Sequence, residues 1–542
     1  MSSSDTLPPF PPTVRGVRLR GAEAALRASQ VSGPFQATPH AYLSPADTES
    51  VEALVRWAHE NQVALIPRGA GTGMPGGNLG SSVVVSLAEG LDWIEADPDN
   101  GTVRAGAGTV AERIDQVARE QMGRHLPFLP ASARWCTIGG MAANNAAGAG
   151  SFRHGATASW VAGLRGVDAR GWPFHLQSPG PGGSSDPDRT SEGTVSSGDA
   201  TSSHGPASPE PFSSHVPIRI PLEADGRPAG WPDVRKNSSG YALDRFLPHR
   251  DALQLLVGSE GTLAVITEVE LRTAPVPRAR GVALLPARSP EDVVALALGA
   301  QPAGADACEL LGRRFMEIAG LDTDPLTASL ADGAFALLLL EVSGTPDEVQ
   351  EGLERCRELG RQVAGEGIRA ASPDDAQRLW ALRKAASPVI AQQAGHGLVS
   401  TQFIEDSVVP VRHLGRYMEE LDRILKASGF DAVVFGHAGD GNLHVNPLVD
   451  TGSSDWRPRV RQVLEQVVDL VAELGGTLAG EHGDGRLRAP FLERIWGSTL
   501  ATAFADIKNE LDPQGTLNPG VIVPLPGQDP LTDFVPRPRT HP

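Results

Sequence analysis

The sequence predicts an α+β protein built in two parts, and three observations carry that reading. Helix-period and strand-period segments alternate through the first half around a glycine-rich loop. A stretch dominated by Ser, Gly and Pro interrupts that half, and a second run of strand, helix, strand and helix follows residues 273–281. At 542 residues the chain is long enough for two or more apolar cores.

Residues 1–36 read as a Pro-rich and then weakly helical lead-in. The first strong helix is expected over 49–62, where Val51, Leu54, Val55 and Ala58 recur at helical spacing behind Thr48 and Glu49. VALIP follows as a short buried-type strand, then the glycine loop, then a second strand in SSVVVSL. Residues 178–215 almost lack large apolar side chains and are expected to be a disordered surface insertion within one domain. After residue 278 the expected order is strand (ARGVALLP), helix (SPEDVVALALGA), strand (GAFALLLLEVSG) and helix (TPDEVQEGLERCRELGRQVA), which suits an antiparallel or mixed sheet. The expected organisation is therefore a lead-in (1–36), a first domain (37–277), a second domain (278–525) and a Pro-rich tail (526–542).

Composition narrows the function. Asp and Glu total 65 against 47 Lys and Arg, a formal charge of −18, which disfavours nucleic acid or an anionic membrane as the main partner. Cys136, Cys308 and Cys356 form no CxxC pair or iron–sulfur cluster pattern, so a reduced, cytoplasmic setting is expected, with peripheral association at the inner membrane left open. The N-terminus lacks the apolar run of a signal peptide, and no segment offers about 18 uninterrupted apolar residues for a membrane helix.

The chemistry is concentrated in short motifs. The loop from Pro67 to Asn78 (PRGAGTGMPGGN) packs five glycines between two strands, which lets backbone N–H groups approach a diphosphate. It is neither a Walker A loop nor a Rossmann GxGxxG, and alone it is equally a structural turn. A second stretch interleaves small residues with amides: Pro130 and Ser132, then Thr137, Gly139, Gly140, Asn144, Asn145 and Gly148, then SFRHG. Such composition suits a segment pressed against a cofactor. A third is LLVGSEGTLAVITEVEL, residues 255–271.

Near the C-terminus, GHAGDGNLHVN places His437 and His444 about a Gly-rich turn, with His444 and Asn446 on one face of the following strand. GEHGDGRLR adds Glu481 and His482 in another such turn. Two imidazoles and a carboxylate can bind Zn²⁺ or a similar cation and leave a position for substrate. The spacing is not that of a helical HExxH protease.

Taken together, the three N-terminal segments resemble the FAD-binding domain of the PCMH-type, vanillyl-alcohol-oxidase-like flavoproteins, with their PRGxGT loop, TIGGxxANNAxG segment and VGSEGTLGVIT strand. The two His-bearing turns resemble the C-terminal, FAD-linked oxidase (substrate) domain of the D-lactate, glycolate and D-2-hydroxyglutarate dehydrogenase group. The resemblance implies that Pro67, Arg68, Gly69, Ala70, Gly71, Thr72, Gly73, Gly76, Gly77 and Asn78, with the TIGG segment, embrace the FAD diphosphate. It implies that Glu260, Gly261 and Ile266 lie near the adenosine or isoalloxazine portion, and that Asn518 returns to the flavin. Thr72 and Gly73 stand where many members carry a tethering His, so non-covalent FAD is expected, and Cys136 is expected to be a packed thiol.

For the chemistry, the resemblance implies His437, His444 and Glu481 as ligands of a divalent metal, with zinc the expected ion, and His482 as the general base. Arg383 is the candidate for the substrate carboxylate, because its fork makes bidentate contacts, and Asn446 for orienting the substrate or a ligand. A neutral imidazole takes a hydroxyl proton near pH 7, and a cation lowers the hydroxyl pKa. The expected reaction is FAD-dependent oxidation of a small D-2-hydroxy acid to the 2-oxo acid. Ile404 stands where hydroxyglutarate-specific relatives carry a Lys, which weakens recognition of a second carboxylate. TQFIEDSVVP resembles longer proteins fused to an iron–sulfur module, so electrons are expected to pass to a separate acceptor: a quinone, an electron-transfer flavoprotein, an iron–sulfur protein or O₂. The alternatives are an oxidase reoxidised by O₂ and a non-catalytic flavin subunit of an electron-transfer complex; a homodimer is left open.

Overall fold

The computed structural model of the chain describes residues 7–178, 218, 220–365, 367–370, 373–384 and 398–536. The insertion expected at 178–215 lies, apart from Ser178, outside the described residues.

In the first half, Asp47 caps the helix Thr48–Asn61 by accepting from the Ser50 N–H at 2.9 Å, and Gln62 ends it in the left-handed region. Its Val51, Leu54, Val55 and Ala58 are buried, as the periodicity predicts. The strands Leu65–Arg68 and Val83–Ser86 pair in parallel, so the chain must cross over between them, and the glycine loop is that crossing. A four-stranded sheet results, completed by Ala41–Pro45 and Gly16–Arg20.

The last of these strands lies inside the supposed lead-in. It pairs antiparallel with Ala41–Pro45 as an edge, and its side chains are largely exposed, so no apolar signal marked it in the sequence. A five-stranded antiparallel sheet follows (Ile94–Asp97, Thr102–Gly106, Ala264–Arg272, Val161–Asp168 and Pro173–Gln177, with Ala264–Arg272 between Thr102–Gly106 and Val161–Asp168).

The second half is one antiparallel sheet. Its long strands are Ala279–Ala287, Ala336–Gly344, Ala307–Gly312, Asp431–His437 and Asn442–Asp450, in that spatial order. The helices Pro290–Ala300 and Pro346–Val363 both open with a capping box, Ser289 with Asp292 and Thr345 with Glu348, and both carry Pro in the first turn.

Two C-terminal segments differ from expectation. The helix Leu492–Leu511 buries Leu500, Phe504 and Ile507 in the core that holds Tyr241, Phe246 and Leu255, so it packs on the first half although it follows the second in sequence. Part of the Pro-rich tail is also packed: Leu531 and Phe534 are fully buried, and Arg457 donates to both of their carbonyls at 2.7 Å. Two apolar residues among prolines gave too weak a pattern to announce this.

Candidate active site

The glycine loop and the TIGG segment meet across a cleft. Of the expected flavin-binding residues, Pro67, Arg68, Gly69, Ala70, Gly71, Thr72, Gly73, Gly77, Asn78, Pro130, Ser132, Thr137, Gly139, Gly140, Asn144, Glu260, Gly261 and Ile266 line it. Thr137 caps the helix Ile138–Asn144 and so sets Gly139 and Gly140 against the cleft. A Cβ on Gly69 would meet Thr137 Oγ1 at 2.4 Å, and one on Gly139 would meet Ala107 at 2.6 Å, so backbone stays bare where a cofactor passes. The Asn78 Oδ1 is buried without a partner. Bare backbone and an unsatisfied amide are what a dinucleotide would complete, and the lining fits FAD.

Four expected residues do not line the cleft, and each has a bracing role instead. Gly76 faces the Phe35 ring and its carbonyl accepts from Arg486. The Asn145 Oδ1 accepts from the Ala158 N–H, and the Nδ2 donates to the Asn237 carbonyl. At Gly148 a Cβ would strike the Leu129 carbonyl. Asn518 Nδ2 donates at 2.8 Å to the carbonyls of Gly77 and Glu260, tying three segments behind the wall. Arg68 lines the cleft, and its guanidinium donates to the carbonyls of Gln30 and Asn78. Cys136 is a packed thiol, and burial pushes it up to about 11, which leaves it protonated.

Glu481 and His482 also line the cleft. The hairpin Asp431–His437/Asn442–Asp450 sets His437 opposite Asn442 and His444 opposite Phe435, so the two imidazoles are diagonal neighbours with ring centres 5.1 Å apart. Its turn needs Gly441, which is left-handed and whose Cβ would meet the Val409 carbonyl at 2.0 Å. Asp406 fixes the facing turn: one carboxylate oxygen accepts from the successive N–H groups of Gly480, Glu481 and His482 at 2.9–3.0 Å.

The three rings converge. Nε2 of His437, His444 and His482 lie 3.4, 3.2 and 3.6 Å from one atom, Glu481 Oε1. Each Nδ1 is already engaged: His437 with Glu309 at 2.6 Å, His444 with the Glu405 carbonyl at 3.1 Å, and His482 with Glu405 Oε2 at 2.7 Å. Imidazoles with Nδ1 held and Nε2 pointed at a shared carboxylate oxygen form a donor set suited to a divalent cation. His437, His444 and Glu481 can each offer one ligand atom, all within 4.8 Å of one another.

Charge compensation in this buried cluster is pairwise. Lys236 Nζ holds Glu481 Oε2 at 2.7 Å, Arg488 holds Glu405, and Arg383 holds Glu309 through Nε at 2.9 Å and Nη2 at 2.7 Å. Burial alone would raise Glu309, but His437 and Arg383 outweigh it and hold it at about 2. Burial would likewise raise Glu481, and Lys236 and His437 bring it well below the usual carboxylate range. His482 goes the other way: burial would lower it, yet Glu405 and Asp406 raise it to about 9. The neutral imidazole expected from sequence is therefore an imidazolium at pH 7 unless a positive charge sits beside it.

Sequence reasoning found Arg383 but not its partner; the guanidinium is buried, lies 4.7 Å above the Phe435 ring, and spends two of its five donors on Glu309. Asn446 is buried, with Oδ1 accepting from Gln402 at 3.3 Å. The Ile404 side chain belongs to the apolar core. Lys236, Glu309, Glu405, Asp406 and Arg488 were missed. Only Glu405 and Asp406, a carboxylate pair between the apolar FI and SVV, carried a usable signal.

The two walls of the site are joined directly. Asn144 Nδ2 donates to the His482 carbonyl at 2.8 Å. Glu260 accepts from the Asp484 N–H at 2.6 Å and the Gly485 N–H at 3.0 Å. Burial, with Asp484 beside it, pushes Glu260 up to about 8.

Comparison with known proteins agrees with this architecture. Residues 39–177 match the FAD binding domain family and residues 276–522 match the family of FAD linked oxidases, C-terminal domain. The fold is that of p-cresol methylhydroxylase (TM-score 0.66, 13% identity, 94% of each chain) and of 4-ethylphenol oxidase from Gulosibacter chungangensis (TM-score 0.62, 15% identity, 93% and 92%). The chain carries an FAD-binding domain followed by an FAD-linked oxidase C-terminal domain, the arrangement of an FAD-dependent oxidoreductase.

Within that class it is similar to the D-lactate dehydrogenase of Archaeoglobus fulgidus, 28% identical over 90% of this chain and 93% of the relative. It is 25% identical to the glycolate oxidase subunit GlcD of Bacillus subtilis, over 90% and 89%. It is 28% identical to the D-2-hydroxyglutarate dehydrogenase of Escherichia coli, covering 91% of this chain but only 49% of that longer protein. No helix among the described residues is long and apolar enough to cross a membrane.

Proposed function

We propose that the chain oxidises a small D-2-hydroxy acid to the 2-oxo acid, in a site between the two domains where the flavin cleft meets the His437, His444, Glu481 and His482 cluster. The observation that carries this reading is the convergence of three imidazole Nε2 atoms on Oε1 of Glu481, which with His482 lines the cleft. The D-lactate dehydrogenase and glycolate oxidase subunit similarities support the substrate class.

The lining of the cleft would hold FAD non-covalently, and His437, His444 and Glu481 would hold a divalent cation, zinc by the nature of the donors. When bound, the flavin accepts a hydride and the cation stabilises an alkoxide. Arg383 orients the substrate carboxylate with the donors that Glu309 leaves to it. Asn446, on the same strand face as His444, orients the substrate hydroxyl.

His482 Nε2 moves the hydroxyl proton. Glu405 fixes the ring through Nδ1, and together with Asp406 favours the protonated ring. A cation held by His437, His444 and Glu481 would oppose that bias and so favour the neutral His482 ring that can accept a proton. Electrons leave to a separate acceptor, for which a quinone, an electron-transfer flavoprotein, an iron–sulfur protein and O₂ are the chemical classes to compare. We place the protein in the cytoplasm, consistent with three buried, unpaired cysteines.

The test is anaerobic addition of D- and L-2-hydroxy acids to the purified yellow protein, with metal analysis of the same sample. Loss of the flavin band at roughly 450 nm with a D-2-hydroxy acid is the expected result. A panel in which no 2-hydroxy acid bleaches the flavin refutes the proposal.

A further inference from the structure

Glu309 has no role in the reading above beyond pairing with Arg383, yet its placement asks more of it. It sits on the central strand Ala307–Gly312, one residue beyond the pairing of Leu310 with Gly436, which brings it alongside His437. It is 1% exposed. Its two oxygens are divided between two partners: Oε1 meets His437 Nδ1 at 2.6 Å, while Oε2 accepts from Arg383 Nε at 2.9 Å and is ion-paired with Nη2 at 2.7 Å.

We propose that Glu309 is a positioning residue that spans the site, with one carboxylate fixing both the imidazole ligand of the metal and the guanidinium that receives the substrate carboxylate. This rests on the hydroxy-acid reading and deepens it. A 2-hydroxy acid carries its hydroxyl and carboxylate on adjacent carbons, so the cation and the guanidinium must be held at a set separation to engage both. Glu309 supplies that separation because neither partner can shift without pulling on the other oxygen. The Phe435 ring, 4.7 Å from the guanidinium carbon, blocks the remaining freedom of Arg383. Nδ1 of His437 is engaged by Glu309, which leaves Nε2 directed at Glu481.

A bland alternative is that Glu309 only neutralises a buried Arg. The two roles separate on Glu309→Asp, which keeps the charge but is one methylene too short to reach both partners. Neutralisation predicts full rescue by Glu309→Asp; spanning predicts none.

The experiment uses the full chain loaded with FAD. Zinc affinity is measured by chelator competition without substrate, and KM and kcat for the best 2-hydroxy acid are measured separately. Glu309→Gln and Glu309→Asp are both expected to weaken zinc binding roughly 10–100-fold, with FAD content unchanged. KM is expected to rise by more than kcat falls. Because Glu309→Gln leaves Arg383 buried without a counter-charge, the double variant Glu309→Gln/Arg383→Met guards against misfolding and must show the same loss of zinc affinity.

Zinc bound as tightly by the folded variants as by wild type overturns the proposal, as does full rescue by Glu309→Asp. Wild type that binds no zinc overturns the metal reading itself and this proposal with it. Zinc binding that fails only in the variants supports both.

Discussion

The two walls of the site are made by opposite means. The flavin cleft is built of backbone: glycines where a Cβ would collide, short caps, and amides, with burial driving its ionisable groups towards neutrality, Glu260 to about 8 and Cys136 to about 11. The cluster beyond it is built of charge, with Glu481, Glu309 and Glu405 each given its own cation, Glu309 held at about 2 and His482 at about 9. The contrast follows from what each wall must contact. A dinucleotide needs close approach to N–H groups, whereas proton and alkoxide chemistry needs fixed charges in a dry site.

The sharpest break between the walls is expected from His482→Asn. FAD content should be unchanged, while anaerobic stopped-flow reduction of the flavin by a 2-hydroxy acid slows about 10²–10⁴-fold. A variant that reduces its flavin at the wild-type rate removes His482 from proton transfer.

Next in size is Lys236→Met. It removes the lysine counter-charge of buried Glu481 and leaves only the imidazoles beside it, which costs up to about 3–5 kcal/mol in the metal-free protein. Thermal melting with a chelator present should show the loss, and added zinc should shrink it, because one cation then stands in for another. Equal melting of variant and wild type in chelator would show that the pair contributes nothing.

A smaller effect, confined to the other wall, is expected from Gly139→Ala. The new Cβ meets Ala107 at 2.6 Å, an overpacking worth about 1–3 kcal/mol. Flavin per chain should fall while zinc affinity holds. Loss of both together would mean that the walls are one cooperative unit, which the Asn144 to His482 and Glu260 to Asp484 contacts make the alternative worth measuring.

These walls also differ in how much of them the sequence disclosed. The cleft was legible nearly residue by residue, because a glycine at a collision point has no substitute and so leaves a local motif. The four exceptions, Gly76, Asn145, Gly148 and Asn518, share the motifs but brace the wall from behind, a distinction of direction that no pattern encodes. The cluster was half legible. His437, His444, Glu481 and His482 lie in two turns, and Arg488 closes the second of them unremarked, but Lys236 and Glu309 arrive from two other segments with no motif around them. Their meaning appears only when the sheet register sets Glu309 beside His437 and the first half folds Lys236 onto Glu481. The strand Gly16–Arg20 was missed for a related reason: an edge strand with exposed side chains has no core-facing pattern to read.

The smallest effect per unit of pH sets one carboxylate of each wall against the other, because Glu260 and Glu309 should respond to pH with opposite sign. Glu260 has a folded value of about 8 against an ordinary 4.5, so between those values the folded protein holds the extra proton and stability falls as pH rises. Glu309 has a folded value of about 2 against 4.5; its contribution is fully present above pH 4.5 and is lost as pH falls towards 2. Each group can change stability by at most about 1.4 kcal/mol per pH unit. Melting temperatures of the metal-free, flavin-free protein should therefore lose part of their alkaline slope in Glu260→Gln, the part due to His482 remaining, and part of their acid slope in Glu309→Gln, the part due to Glu405 and Glu481 remaining. If the two substitutions flatten the same limb, the opposition between a neutralised wall and a charge-paired wall is wrong, and the cleft and cluster titrate as one network.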